Sequence, residues 1–147
     1  MKINSGAFKN VSLDIQKNCN FRPTTAICRK SIFDTICSLE SKSFLDVFSG
    51  SGMIGFEAAS RGAQRVSFVE MNKKYLNQII ENSKKLDYNN FTFLRRDAQR
   101  FIKKCDNYDI IFADPPYNIY DLNLFVQNAL KKINKGGFLV VECLVKE

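Results

Sequence analysis

The segment Asp114-Pro115-Pro116-Tyr117 follows the apolar run Asp109-Ile110-Ile111-Phe112-Ala113 and brings together the residue types that hold an amino group. Two successive prolines lack an N–H and fix their own φ, so the turn is extended and presents carbonyl acceptors without competing donors. An exocyclic amine is a double donor. The Asp114 carboxylate and the Pro115 or Pro116 carbonyl can accept its hydrogens, and Tyr117 offers a flat face on which a base can stack. Ordinary turns also use Asp and Pro. What sets this one apart is a second motif upstream, Asp46-Val47-Phe48-Ser49-Gly50-Ser51-Gly52-Met53-Ile54-Gly55. Gly50, Gly52 and Gly55 satisfy G-x-G-x-x-G between an expected strand and an expected helix, the context in which such a loop approaches a nucleotide-type cofactor closely. Glu70 stands 20 residues beyond Gly50, where an acid can hold both ribose hydroxyls.

A glycine loop of this kind serves NAD and S-adenosylmethionine alike, so its surroundings must decide. Asp46 lies inside the strand end, where a carboxylate can reach the ammonium of a methionine moiety, although a buried acid bonded only to backbone amides is the plainer reading. A dehydrogenase also needs a substrate domain that 147 residues do not supply. Asp97 can accept from an adenine amine at the end of a third strand, or simply cap a helix. The chain has no histidine, which removes every mechanism that relies on an imidazole base.

These residues need a frame that brings four loops to one edge. Strands are expected at 44–48, 65–70, 91–94, 108–113 and 138–144, the last following Gly136-Gly137. Helices are expected at about 25–40, 53–61 closed by Gly62, 72–86, from about 97, and 121–133. Strands alternating with helices at this spacing give a Rossmann-like α/β fold with a doubly wound, mostly parallel sheet. Ligands bind such sheets outside the carboxyl ends of the strands, where all four loops fall. Residues 1–21 read as a basic hairpin or arm outside the core, with residues 22–147 as the main domain.

Phe44-Leu45-Asp46-Val47-Phe48-Ser49-Gly50-Ser51-Gly52 together with Ala113-Asp114-Pro115-Pro116-Tyr117 resembles the class I methyltransferase motifs for cofactor and for amino-group methylation. Arg22-Pro23-Thr24-Thr25, the run from Gly55 to Ala63 and Phe68-Val69-Glu70-Met71 narrow the resemblance to the RsmD-type 16S rRNA guanine-N2 methyltransferases, over essentially the whole chain. The resemblance implies S-adenosylmethionine contacts from Asp46, Phe48, Gly50, Ser51, Gly52, Glu70, Met71, Asp97 and Ala98. It places guanine on Asp114, Pro115, Pro116 and Tyr117, and makes 16S rRNA or the small ribosomal subunit the partner. Two departures stand out. Ala26-Ile27-Cys28-Arg29-Lys30 replaces the acidic and basic residues that usually follow Arg-Pro-Thr-Thr. The chain also ends just after the fifth strand, where the family fold adds two more, so an exposed edge calls for a dimer, a partner or a shortened protein.

A formal net charge of +7 favours a polyanionic partner, although a lysine-rich surface alone can produce it. Arg22, Thr24, Arg29, Arg95 and Arg96 are the expected RNA contacts. Five cysteines without a C-x-x-C pair, and no histidine, give no expected metal site and suggest reduced thiols. No apolar run nears the roughly 18 residues of a membrane span, and the amino end lacks a signal-peptide pattern, so a cytoplasmic protein is expected. The alternatives are a DNA amino-methyltransferase, a protein glutamine methyltransferase, a non-catalytic RNA-binding protein of this fold and an NAD oxidoreductase.

Overall fold

The computed structural model describes residues 1–117 and 121–143. Five strands, β1 (Ser43–Val47), β2 (Arg65–Val69), β3 (Phe91–Leu94), β4 (Tyr108–Ala113) and β5 (Ile133–Val141), form one sheet in the order β3-β2-β1-β4-β5. Every pairing is parallel. After β3 the chain crosses to the far side of β1 before forming β4, so β1 and β4 flank the switch point where such sheets open a ligand crevice.

Period-two alternation builds both layers from the same strands. Phe44, Val66, Phe68, Ile110 and Phe112 face one way, into a core shared with helices α1 (Ala26–Ile36), α2 (Met53–Ser60) and α3 (Lys73–Ser83). Leu45, Val47, Val69, Ile111 and Ala113 face the other, against α4 (Ala98–Lys104) and α5 (Leu122–Leu130). Polar side chains set the helix starts. Thr25, Asn72, Asp97 and Asp121 each accept a backbone N–H from the first turn that follows.

Three expectations change. The amino-terminal hairpin is not outside the core: Lys2 and Ser12 form an antiparallel bridge, and Ile3 and Leu13 are buried in the α1–α2–α3 layer. Helix α1 stops at Ile36 rather than near residue 40, because Cys37 takes a left-handed φ of 69°. Strand β5 starts at Ile133, and Gly136-Gly137 lies within it, not before it. The ladder to β4 slips between Tyr108 and Ile110, and a Cβ on Gly137 would lie 2.2 Å from the Asp109 carbonyl oxygen, so the glycine permits the close approach. The expected strand end at Leu144 lies outside the described residues.

The glycine loop depends on the same economy of space. A Cβ on Gly55 would stand 2.3 Å from Phe68, whose ring is buried and stacked on Phe93. Gly55→Ala therefore overpacks a ring with little room to swing, and should destabilise by about 1–3 kcal/mol in urea denaturation. An unchanged midpoint would mean that α2 shifts without cost.

Candidate active site

Helix α2 starts on Gly52, whose φ of 78° suits a residue without a side chain, and Gly50 before it has φ 55°. Phe48 shares that left-handed conformation at φ 59°, a strained choice for an aromatic residue and one that such loops tolerate at functional positions. The loop is pinned by two acids. Asp46 Oδ2 accepts from Gly55 N–H at 3.0 Å, and Glu70 Oε1 accepts from Gly50 N–H at 2.9 Å while its Oε2 accepts from Asn72 N–H at 2.8 Å.

These loops open onto a cavity of about 800 Å³ at the carboxyl edge of the sheet. Its wall carries Phe48, Gly50, Glu70, Met71 and Ala98 from the expected cofactor set, and all of Asp114, Pro115, Pro116 and Tyr117. Asp46 and Ser51 line a smaller adjoining recess that Asp114 also reaches. Gly52 and Asp97 line neither space: Gly52 begins α2, and Asp97 accepts from Arg100 N–H at 3.0 Å as the cap of α4. Tyr117 is 51% exposed, leaving its ring accessible.

Electrostatics separate the possible ligands. Burial pushes Asp46 well above the usual carboxylate range; its bond from Gly55 works against this, and the charges of Glu70 and Asp114 add to it. Burial also raises Glu70, opposed by amide donors from Asn72, Gly50 and Met71. Asp114 is pushed up to about 6 by burial and by Glu142. Carboxylates that crowd one another in this way favour a cationic ligand and oppose a pyrophosphate. S-adenosylmethionine, with a sulfonium and an ammonium, fits this donor set; NAD does not.

Several wall residues were not visible in the sequence. Phe21 packs against the glycine loop, since a Cβ on Gly50 would lie 3.3 Å from its ring, and it meets Tyr75 edge-on at 4.8 Å. Tyr75 Oη in turn accepts from Asn20 N–H at 2.7 Å. Cys28 and Glu142 also line the cavity. An aromatic residue directly before Arg22-Pro23 was the available signal for Phe21; Glu142 gave none beyond its place at a strand end.

Of the expected RNA contacts, Arg22, Thr24 and Arg96 are on the cavity wall, and Arg95 is exposed beside it with its Nε donating to the Met71 carbonyl at 3.1 Å. Arg29 is a correction. It is 1% exposed, and its guanidinium donates to the Thr24 and Lys2 carbonyls, both at 2.9 Å, and to Asn4 Oδ1 at 3.1 Å. Its Nε stands 3.7 Å from Glu57 Oε2, and Glu57 accepts from the Asn4 and Ser5 amides and from Arg61. A side chain so enclosed is out of reach of a phosphate. It fastens the hairpin to α1 and α2 and fixes the Thr24 carbonyl behind the cavity wall.

Fold and site together define an α/β protein of the Rossmann-like methyltransferase type. The chain belongs to the family described as Conserved hypothetical protein 95, whose model matches residues 1–147. It is similar to Ribosomal RNA small subunit methyltransferase D of Buchnera aphidicola, 33% identical over 143 residues, which are 94% of this chain and 75% of that protein. The protein of the same name from Escherichia coli K12 is 27% identical over 147 residues, 99% of this chain and 72% of its own length. A solved structure of a hypothetical protein from Thermus thermophilus superposes with a TM-score of 0.82 at 26% identity, covering 96% of this chain and 84% of that one.

Arg29→Gln leaves Glu57 paired with Arg61 but removes the buried donors to the Thr24 and Lys2 carbonyls, and should cost about 1–3 kcal/mol in chemical denaturation. Unchanged stability with weakened RNA binding would instead restore a surface role for Arg29.

Proposed function

We propose that this chain transfers the methyl group of S-adenosylmethionine to the exocyclic N2 of a guanine in the RNA of the small ribosomal subunit. The observation that carries the proposal is the single acidic cavity joining the glycine loop to Asp114–Pro115–Pro116–Tyr117. The names of the relatives support the RNA substrate, and the chain's excess of positive charge suits it. Ribosomal RNA as substrate also implies work in the cytoplasm. Among the described residues no helix is long and apolar enough to cross a membrane.

The bound cofactor supplies an activated methyl on a sulfonium sulfur. Glu70 would hold the ribose end of the cofactor, Asp46 would favour its cationic end, and Phe48, Ser51, Met71 and Ala98 would border it. Asp114 and a proline carbonyl would accept the two amine hydrogens, which would leave the nitrogen lone pair free for the transfer. Tyr117 stacks on the flipped base. Positioning carries much of the rate, because well-oriented reactants can lower a barrier by about 7–11 kcal/mol. In the cofactor-loaded protein Asp114 or water would take the proton that the amine gives up. Arg22, Arg95 and Arg96 face the RNA backbone at the mouth.

Labelled methyl from S-adenosylmethionine should appear as N2-methylguanine in unmodified small subunits or their naked rRNA and not in DNA. Cofactor binding with no label in any nucleic acid would instead indicate a binding protein.

The ionised Asp114 is the stronger acceptor and the only form that can take up a proton, and its carboxyl sits at about 6, so kcat/KM should fall as pH drops through about 6. Asp114→Asn should remove that acid limb and lower turnover by about 10²–10³-fold, with cofactor affinity changed far less. An acid limb that survives the substitution would assign it to another group.

A further inference from the structure

This inference rests on the reading that the cavity receives an amino-bearing base, and it concerns how that base is recognised. Asp114 leaves the carboxyl end of β4 and Glu142 that of β5. Ala113 and Val141 are register partners, and the Glu142 N–H donates to the Ala113 carbonyl at 2.9 Å. The two acids therefore emerge side by side on adjacent parallel strands, and both line the cavity with Pro115, Pro116 and Tyr117. Glu142 Oε2 is buried and has no hydrogen-bond partner among the described residues. The charge of Glu142 is also felt at Asp114, whose carboxyl it helps to raise.

A buried acceptor without a donor is costly, and an ionised carboxylate can only accept. The pair is thus completed by a ligand that presents two donors side by side. Among the amino-bearing bases, adenine and cytosine set a bare ring nitrogen next to the exocyclic amine, which would place lone pair against lone pair. Guanine presents N1–H next to its amine.

We propose that Glu142 is a specificity-determining residue that accepts the N1–H of a guanine whose N2 amine is held by Asp114. Guanine is then chosen by hydrogen-bond pattern, and the base is oriented with N2 deep in the cavity.

The test compares an RNA bearing guanine at the nucleotide that the wild-type protein methylates with the same RNA bearing 2-aminopurine there. 2-Aminopurine keeps the exocyclic amine, lacks O6 and carries a bare nitrogen in place of N1–H; the Glu142→Gln variant separates the loss of N1–H from the loss of O6. Wild-type kcat/KM should favour guanine by about 10²-fold or more, the scale on which sites built to bond an N–H reject analogues lacking it. In Glu142→Gln the side-chain amide can donate to the bare nitrogen, so the preference should shrink about 10-fold or more while S-adenosylmethionine affinity is retained.

Equal use of both bases by the wild-type protein would overturn the proposal without recourse to any variant. So would a Glu142→Gln protein that loses turnover equally on both bases, or one that loses cofactor affinity, since these assign Glu142 to proton transfer or to the cofactor. A wild-type protein that methylates no RNA would overturn the underlying reading, and this inference with it.

Discussion

The structure depends on one buried carboxylate. Asp46 sits at the carboxyl end of the central strand β1 and accepts the Gly55 amide in the first turn of α2, which fixes where the glycine loop ends and the helix begins. That bond holds α2 close to the sheet, a closeness that Gly55 permits by leaving room for the Phe68 ring. With α2 in place, the loop from Phe48 to Gly52 has only the edge of the sheet to occupy. Asp46 is almost fully buried, and burial favours its neutral form. The folded chain therefore holds an acid that gains from a nearby cation.

The other acids extend the same constraint. Glu70 at the end of β2 shares its oxygens between Gly50 and Asn72, and Asp114 at the end of β4 is pushed up by burial and by Glu142. A parallel sheet brings all its strand ends to one edge, so acids placed there by separate parts of the sequence meet around one cavity. Each raised carboxyl binds its proton more tightly in the folded state than in the unfolded one. Ionising these groups thus costs stability as pH rises through their folded values, and a bound cation offsets that cost. A protein with a net charge of +7 has concentrated negative charge where its ligand goes and left arginines at the mouth. That division suits a cationic cofactor inside and a polyanion outside.

Much of this was legible in the sequence because its signals are local. The glycine spacing, the acid 20 residues on and Asp114-Pro115-Pro116-Tyr117 each report a backbone demand met within a few residues. The strands and helices of the described residues were also legible, with ends displaced where a tertiary contact intervenes. Gly136-Gly137 reads as a turn, yet it lies within β5 because the slipped ladder beside Asp109 needs a residue without a side chain. Arg29 reads as a phosphate contact, since nothing nearby in sequence announces Glu57 on another helix or the carbonyl of Lys2. The hairpin reads as an arm because Ile3 and Leu13 are too few to show a pattern, although both are buried by the layer built on residues far along the chain. Glu142 was missed for the same reason: its meaning comes from Asp114 on the neighbouring strand.

The most direct test of the central claim, that a crowd of buried carboxylates selects a cationic cofactor, is calorimetric titration with S-adenosylmethionine, S-adenosylhomocysteine and NAD from about pH 8 to about pH 5. S-adenosylmethionine should bind with release of protons and lose affinity as pH falls and the raised carboxyls of Asp46 and Glu70 take up protons. S-adenosylhomocysteine, which lacks the sulfonium charge, should lose less, and NAD should not bind. Affinity for S-adenosylmethionine that does not change with pH, or a preference for NAD, would contradict the account.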